Sequence, residues 1–343
     1  MERKDRIELI RTIESIRGSR VICCLTSDRM NASGMIAKDF IPIFYTHLSA
    51  LAPVKRLDAF FFTTGGDTLA AFGISRLLRE FATHVSVLIP EKCHSAGTLL
   101  ALGADEIFMT PAATLTPIDP SIVTALNPKA EGAGPGIPST PFPVSVESIG
   151  GFQDLIKEEW KLDTEGKAQA FGILARRVHP LVLGQAFRAR QQIVRLAQVL
   201  LSSHRNDKKA IQRIVEQLTR KLGSHDYLIS RQEARDILGS QVVNLDPEQK
   251  LEKAIWKLYE NYRDEMQLGR IYDPAALFQQ TVSQGGRSPV KITNRFVTIE
   301  TTTAADVWEA EMQLAQPPQV PQLPVQMQGI QQFVLFNGWR HYE

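Results

Sequence analysis

The stretch "HVSVLIPEKCHSAGTLLALGADEIFM", residues 84–109, decides the fold. "HVSVLIP" is a short apolar run stopped by a proline, which reads as a buried strand. Ser95 to Gly103 reads as a helix, and "ADEIFM" as the next strand. Upstream the same alternation repeats. "RVICCL" reads as a strand, "IPIFYTHLSAL" as a helix, and "RLDAFFFTT" as a strand ending at Gly65-Gly66. From Asp67, a helix-capping residue type, the spacing Leu69, Phe72, Ile74, Leu77, Leu78, Phe81 predicts a helix. Residues 3–16 carry Ile7, Leu9, Ile10, Ile13 and Ile16 at helical spacing. Strands alternating with helices imply crossover connections and a mainly parallel sheet.

Further along, residues 121–145 are rich in Pro and Gly and read as a long surface loop. Helices are predicted from Val146, over 180–203 with Pro180 at the first helical position, and from Asp207 to Leu222. "HDYLISRQEARDILG" reads as a short strand and a helix capped by Ser230, with Glu233 completing a capping box. After residue 240 a charged amphipathic helix, "DPEQKLEKAIWKLYENYRDEM", precedes "NRFVTIETTTAADVWEAEMQ", which alternates about a polar turn and reads as a hairpin. A Pro/Gln-biased stretch then leads to the aromatic terminus "FVLFNGWRHYE".

Composition narrows the class. The 343 residues are 43% hydrophobic and 22% charged, ordinary for a globular chain with a sizeable core. A net charge of +2 gives no reason to expect an extended surface for nucleic acid or acidic lipid. Cys23, Cys24 and Cys93 make neither a disulfide framework nor a zinc pattern, so no metal or other cofactor is expected, and a reducing compartment is. The charged start "MERKDRIELIRTIESI" reads as neither a signal peptide nor a membrane anchor, and no apolar run reaches spanning length, so the chain is expected to be cytoplasmic with no integral membrane segment.

Ser95 admits two readings. Serine is a common helix cap, and Gly-Gly a common turn. A nucleophilic serine, by contrast, needs a base within hydrogen-bond reach and donors aimed at the oxyanion formed on attack. The turn "TTGGD" and the helix start "HSAG" lie one βα unit apart. Adjacent parallel strands bring both turns to the same sheet edge, where α/β sites form.

The ordered set "TTGGDTLAAFGISRLL", "HSAGTLLALGADEIFM" and "PAATLTPIDPS" resembles the Clp protease proteolytic subunit and signal-peptide peptidase A superfamily, most of all its serine dehydrogenase proteinase branch. "FRARQQIVRLAQVLLSSH" is similar to the Clp handle helix, and "HDYLISRQEARDILG" to the segment bearing the Clp triad aspartate. The resemblance covers about residues 18 to 245, with 121–178 lacking a Clp counterpart. It implies a ClpP/crotonase-like α/β fold of spiralled β-β-α units with a long handle-type helix over 1–245; beyond it, the residue patterns read as a small α+β appendage over 246–315 and a tail over 316–343.

The resemblance implies Ser95 as nucleophile and the backbone N–H groups of Ala96 and of Gly65 or Gly66 as the oxyanion hole. It places Asp226 on the Clp aspartate. The position of the Clp histidine holds Ile118 instead, in "TPIDP", so the base is open. His179, at the end of the inserted section, is the first candidate. His225, beside Asp226, His94, and the lysines Lys157 and Lys129 are the others. A lysine base would have to be buried to lower its pKa.

The expected function is that of a serine peptidase acting on peptides or proteins through an acyl-enzyme. The alternative is an impaired pseudoprotease serving as an oligomeric scaffold or peptide-binding module. Crotonase-like acyl-CoA chemistry is the third option, disfavoured by a serine at the helix start. Homo-oligomers are expected from the apolar residues of the 180–203 helix, such as Leu183, Phe187 and Ile193. No nucleic-acid partner is expected.

Overall fold

The computed structural model describes residues 3–119, 121–122, 124–128, 144–243, 249–316 and 330–343. The chain divides into two compact units, residues 1–114 with 230–343, and residues 115–229.

The first unit is built on one mixed sheet. Its strands are β1 (Arg20–Thr26), β2 (Val54–Phe62), β3 (Ala82–Ile89), β4 (Glu106–Met109), β5 (Val242–Val243), β6 (Val290–Glu300), β7 (Ala305–Ala315) and β8 (Gln331–Tyr342). Their spatial order is β5-β4-β3-β2-β1-β6-β7-β8. The half from β5 to β1 is parallel, and β6 to β8 continue it antiparallel from the free side of β1. α1 (Arg3–Arg17), α2 (Phe40–Leu51), α3 (Thr68–Phe81) and α4 (Ala96–Ala101) precede or connect the parallel strands as the apolar spacing predicts. Three isolated parallel bridges, Ile36 to Gly66, Thr63 to Cys93 and Lys92 to Thr114, join successive turns beyond the strand ends.

β1 and β2 are apolar on both faces because both faces are covered, as expected of parallel strands. On one face Cys23, Leu25, Phe60 and Phe62 pack with Ile10 and Ile13 of α1 and with the charged amphipathic helix, here α10 (Gln249–Met266), through Leu251, Ile255, Leu258 and Tyr262. On the other face the Phe61 ring stacks on Phe44 of α2 at 6.2 Å. α9 (Arg231–Leu238) is capped by Ser230, whose hydroxyl accepts from the Glu233 N–H, as the capping box predicts. The expected hairpin is β6 and β7. It pairs with β1 rather than standing by itself, with Cys23 opposite Glu300. The terminus, read as a tail, is the edge strand β8 on β7, with Trp308 opposite Trp339. The Pro/Gln stretch 317–329 falls outside the described residues.

That pairing buries a charge. Glu300 is fully enclosed, and α1 supplies its counter-ions. Arg6 Nε lies 2.6 Å and Arg3 Nε 3.0 Å from its carboxylate oxygens, and the Tyr262 hydroxyl donates at 2.8 Å. α1 and β6 are thus tied together by a buried ion pair.

In the second unit, α5 (Val146–Asp154), α6 (Thr164–Arg177), α7 (Pro180–Ser202) and α8 (Lys208–Glu216) follow the predicted helices. Ile193, Ala197, Leu200 and Leu201 of α7 are buried by packing on α5 and α8, so much of the apolar surface from which oligomers were expected is internal. Among the described residues no helix is long and apolar enough to cross a membrane.

Because removing one partner of a buried ion pair strands the other charge, Arg6→Ala is expected to lower stability by about 3 kcal/mol in urea unfolding. A loss below about 1 kcal/mol would show that Arg3 and Tyr262 suffice.

Candidate active site

Ser95 stands where β3 gives way to α4, on a loop fixed from both sides. Thr63 N–H donates to the Lys92 carbonyl at 3.0 Å, His94 N–H to the Thr63 carbonyl at 3.0 Å, and Cys93 N–H to the Thr114 carbonyl at 3.0 Å. Thr98 Oγ1 donates back to the Cys93 carbonyl at 2.9 Å. These bonds hold Ser95 at φ 52° and ψ −111°, a conformation that costs a side-chain-bearing residue roughly 1–3 kcal/mol. Asp67, Asp163, Asp207 and Ser230 all cap their helices through the side chain, whereas Ser95 sits at the cap position and makes no side-chain cap bond.

Gly65 explains why the turn must be glycine. A Cβ there would lie 2.9 Å from Ser95 Cβ and 3.3 Å from Ala96 N, and its φ is +115°. The "TTGG" backbone therefore lies directly against the serine. Gly97 is equally constrained, since a Cβ would meet Thr63 Cγ2 at 2.6 Å and Cys93 Sγ at 2.9 Å. The Gly65 N–H donates to Thr63 Oγ1 at 3.0 Å. Gly66, with φ +143°, is ordered by bonds on either side of it, from Ile36 N–H to the Gly65 carbonyl and from Asp67 N–H to the Ile36 carbonyl, each at 2.8 Å. Burial pushes the Cys93 thiol well up, so it is no competing nucleophile.

The second unit contains a pair that sequence reasoning missed. His225 Nδ1 is hydrogen-bonded to Oδ1 of Asp119, a residue only 5% exposed in the "TPIDP" segment. With Ile118, Val146, Ile193 and the half-buried Glu147, the pair lines a cavity of about 530 Å³. The hydrogen bond to Asp119 raises the His225 pKa against partial burial, with the charges of Asp119, Asp226 and Glu147 adding to it. Burial, then the Asp119 charge, raises the Glu147 carboxyl. Asp119 Oδ2 is buried and takes no hydrogen bond from a standing donor. A protonated Glu147 can supply one, which agrees with its raised pKa. The signal in the sequence was Asp119 itself, directly after the isoleucine at the Clp histidine position.

The other candidates have different surroundings. His179 caps α7, its exposed Nδ1 accepting the Leu181 N–H at 3.2 Å. His94 Nε2 is 2.8 Å from Thr114 Oγ1. Asp226 is exposed, and it is Asp119 that holds the His225 ring. Lys157 is exposed in the turn after α5, and Lys129 lies outside the described residues. Among the described residues no cluster of three or more His, Cys, Asp or Glu side chains could hold a metal ion.

Residues 1–130 match the model of the ClpP-like SDH-type serine proteinases, so the likeness read from the motifs holds over that part of the chain, which is α/β. Two uncharacterized proteins of Methanocaldococcus jannaschii are 35% and 31% identical over 123 residues. That is 34% of this chain, and it spans 42% and 43% of theirs. Among solved structures, a mutant of the 1510-N membrane-bound stomatin-specific protease is 16% identical, covering 64% of this chain and 80% of that one at TM-score 0.38. A ClpP1 mutant from Listeria monocytogenes is 15% identical, covering 71% and 97% at TM-score 0.35.

The His225 ring should titrate above the ordinary histidine value of about 6.5 in an NMR pH series, and Asp119→Asn should bring it down. Since the folded pKa is the raised one, the pair stabilises the fold fully below the unfolded value, and this stabilisation fades as pH rises through the folded value. A ring titrating at the same pH in both proteins would contradict the pairing.

Proposed function

We propose that the chain is a serine peptidase that cleaves peptide bonds through an acyl-enzyme on Ser95. The observation that carries this is the strained, non-capping Ser95 pressed against the Gly65 backbone. A serine used only to cap would adopt extended backbone and bond the first turn, as Ser230 does. Holding it at positive φ costs stability that a structural role does not explain.

Ser95 Oγ bonds to the scissile carbonyl carbon as a general base takes the hydroxyl proton. The oxyanion is received by N–H groups of Ala96 and of the Gly65–Gly66 turn. The Gly66 N–H is preferred there, since Gly65 already donates to Thr63. Collapse breaks the C–N bond, the amine leaves with the proton returned by the base, and water releases the acyl group by the reverse sequence. His225 is the candidate base put to the test below, because the buried Asp119 carboxylate orients its ring through Nδ1 and leaves the lone pair on Nε2 in the neutral ring.

Ser95→Ala is expected to abolish both peptide hydrolysis and labelling by a fluorophosphonate. His225→Gln should lower the wild-type rate by roughly a thousandfold or more. The wild-type rate should rise with pH as His225 deprotonates, with a midpoint above the ordinary histidine value that Asp119→Asn moves down. Full-rate labelling of His225→Gln would keep Ser95 and reject the base. Equal labelling of wild type and Ser95→Ala would reject the nucleophile, and an inert wild type would favour the scaffold reading.

A further inference from the structure

From Gly166 to Asn206 the chain has seven Lys and Arg residues and no Asp or Glu. Since the whole chain is only +2, the remainder carries a net charge of −5, and the positive charge is segregated into α6, α7 and their flanks. Lys167, Arg176, Arg177, Arg188 and Arg195 are exposed. Among the described residues none of these five forms a salt bridge.

The same segment exposes large apolar side chains. Phe171 is 57%, Ile173 63%, Leu181 62% and Phe187 64% exposed. On α7 the spacing sets Leu181, Arg188, Arg195 and Val199 along one face, turned away from the buried stripe of Val182, Ala186, Ile193 and Ala197. On α6, Ile173, Arg176 and Arg177 share a side. α6 buries only Ala170 of its fourteen residues, so core packing does little to stabilise it.

We propose that α6 and α7 form a docking surface for an anionic lipid bilayer, onto which this unit binds peripherally. Charge and apolarity together select this occupant. Arginines and lysines are attracted to anionic headgroups, while phenylalanine, leucine and isoleucine enter the boundary between headgroup and acyl chain. A second copy would bring a surface of the same positive charge, which opposes self-association through this face. A nucleic-acid backbone would satisfy the cations and leave the aliphatic side chains in water. The proposal is independent of the chemistry at Ser95.

The test is co-sedimentation of the full chain with phosphatidylcholine vesicles with and without phosphatidylglycerol, at low and high salt. Binding is expected only with phosphatidylglycerol and should weaken with salt. Arg176→Gln/Arg177→Gln and, separately, Phe171→Ser/Ile173→Ser should each weaken it by about tenfold or more. All four positions are exposed or nearly unpacked, so unchanged circular dichroism and melting are expected, and Lys208→Gln/Lys209→Gln on α8 serves as the control. Absence of binding, equal binding to neutral vesicles, or equal binding by the α6 variants and the control would overturn the proposal. So would a wild-type oligomer in gel filtration that the α6 variants dissociate, since the face would then belong to a second copy.

Discussion

The parallel register of β2 on β3 is the constraint on which Ser95 depends. With Leu57 opposite Val85 and Phe60 opposite Leu88, the two strands end at the same level. The Thr63–Gly66 turn is thereby carried onto the Cys93–Ala96 turn. A slip of one residue would reverse the faces of Phe60, Phe61 and Phe62 and part the turns. Because both faces of these strands are buried, the register is strongly specified. The site inherits its geometry from the core, and Gly65 and Gly97 are glycines because the backbones meet there.

The antiparallel half of the sheet has a different anchor. Placing β6 on β1 sets the Glu300 carboxylate inside the core, which is tolerable only because α1 delivers Arg6 and Arg3 and α10 delivers Tyr262. The first helix and the last strands therefore stabilise one another across almost the whole length of the chain.

Much of the parallel half was legible because its signals are local. Apolar runs, capping residues such as Asp67 and Ser230, and Gly-Gly at a strand end each act within a few residues. What escaped the sequence is set by distance. Asp119 and His225 are 106 residues apart, and nothing in "TPIDP" or "SHDY" says that the two meet. The likeness to the Clp order directed attention to Asp226, one position away. β8 was read as a tail because its apolar residues follow a Pro/Gln stretch, and only the open edge of β7 makes them a strand. The charge error was one of averaging: a net +2 conceals a segment of +7 that a windowed count reveals.

In the proposed reaction the Ser95 hydroxyl is the attacking group. This role is tested most directly by treating the wild-type chain with a fluorophosphonate and locating the adduct by mass spectrometry after trypsin. A single phosphonyl group is expected within the peptide from Cys93 to Lys129, with fragment ions assigning it to Ser95. An adduct on any other residue, with Ser95 unmodified, would contradict it.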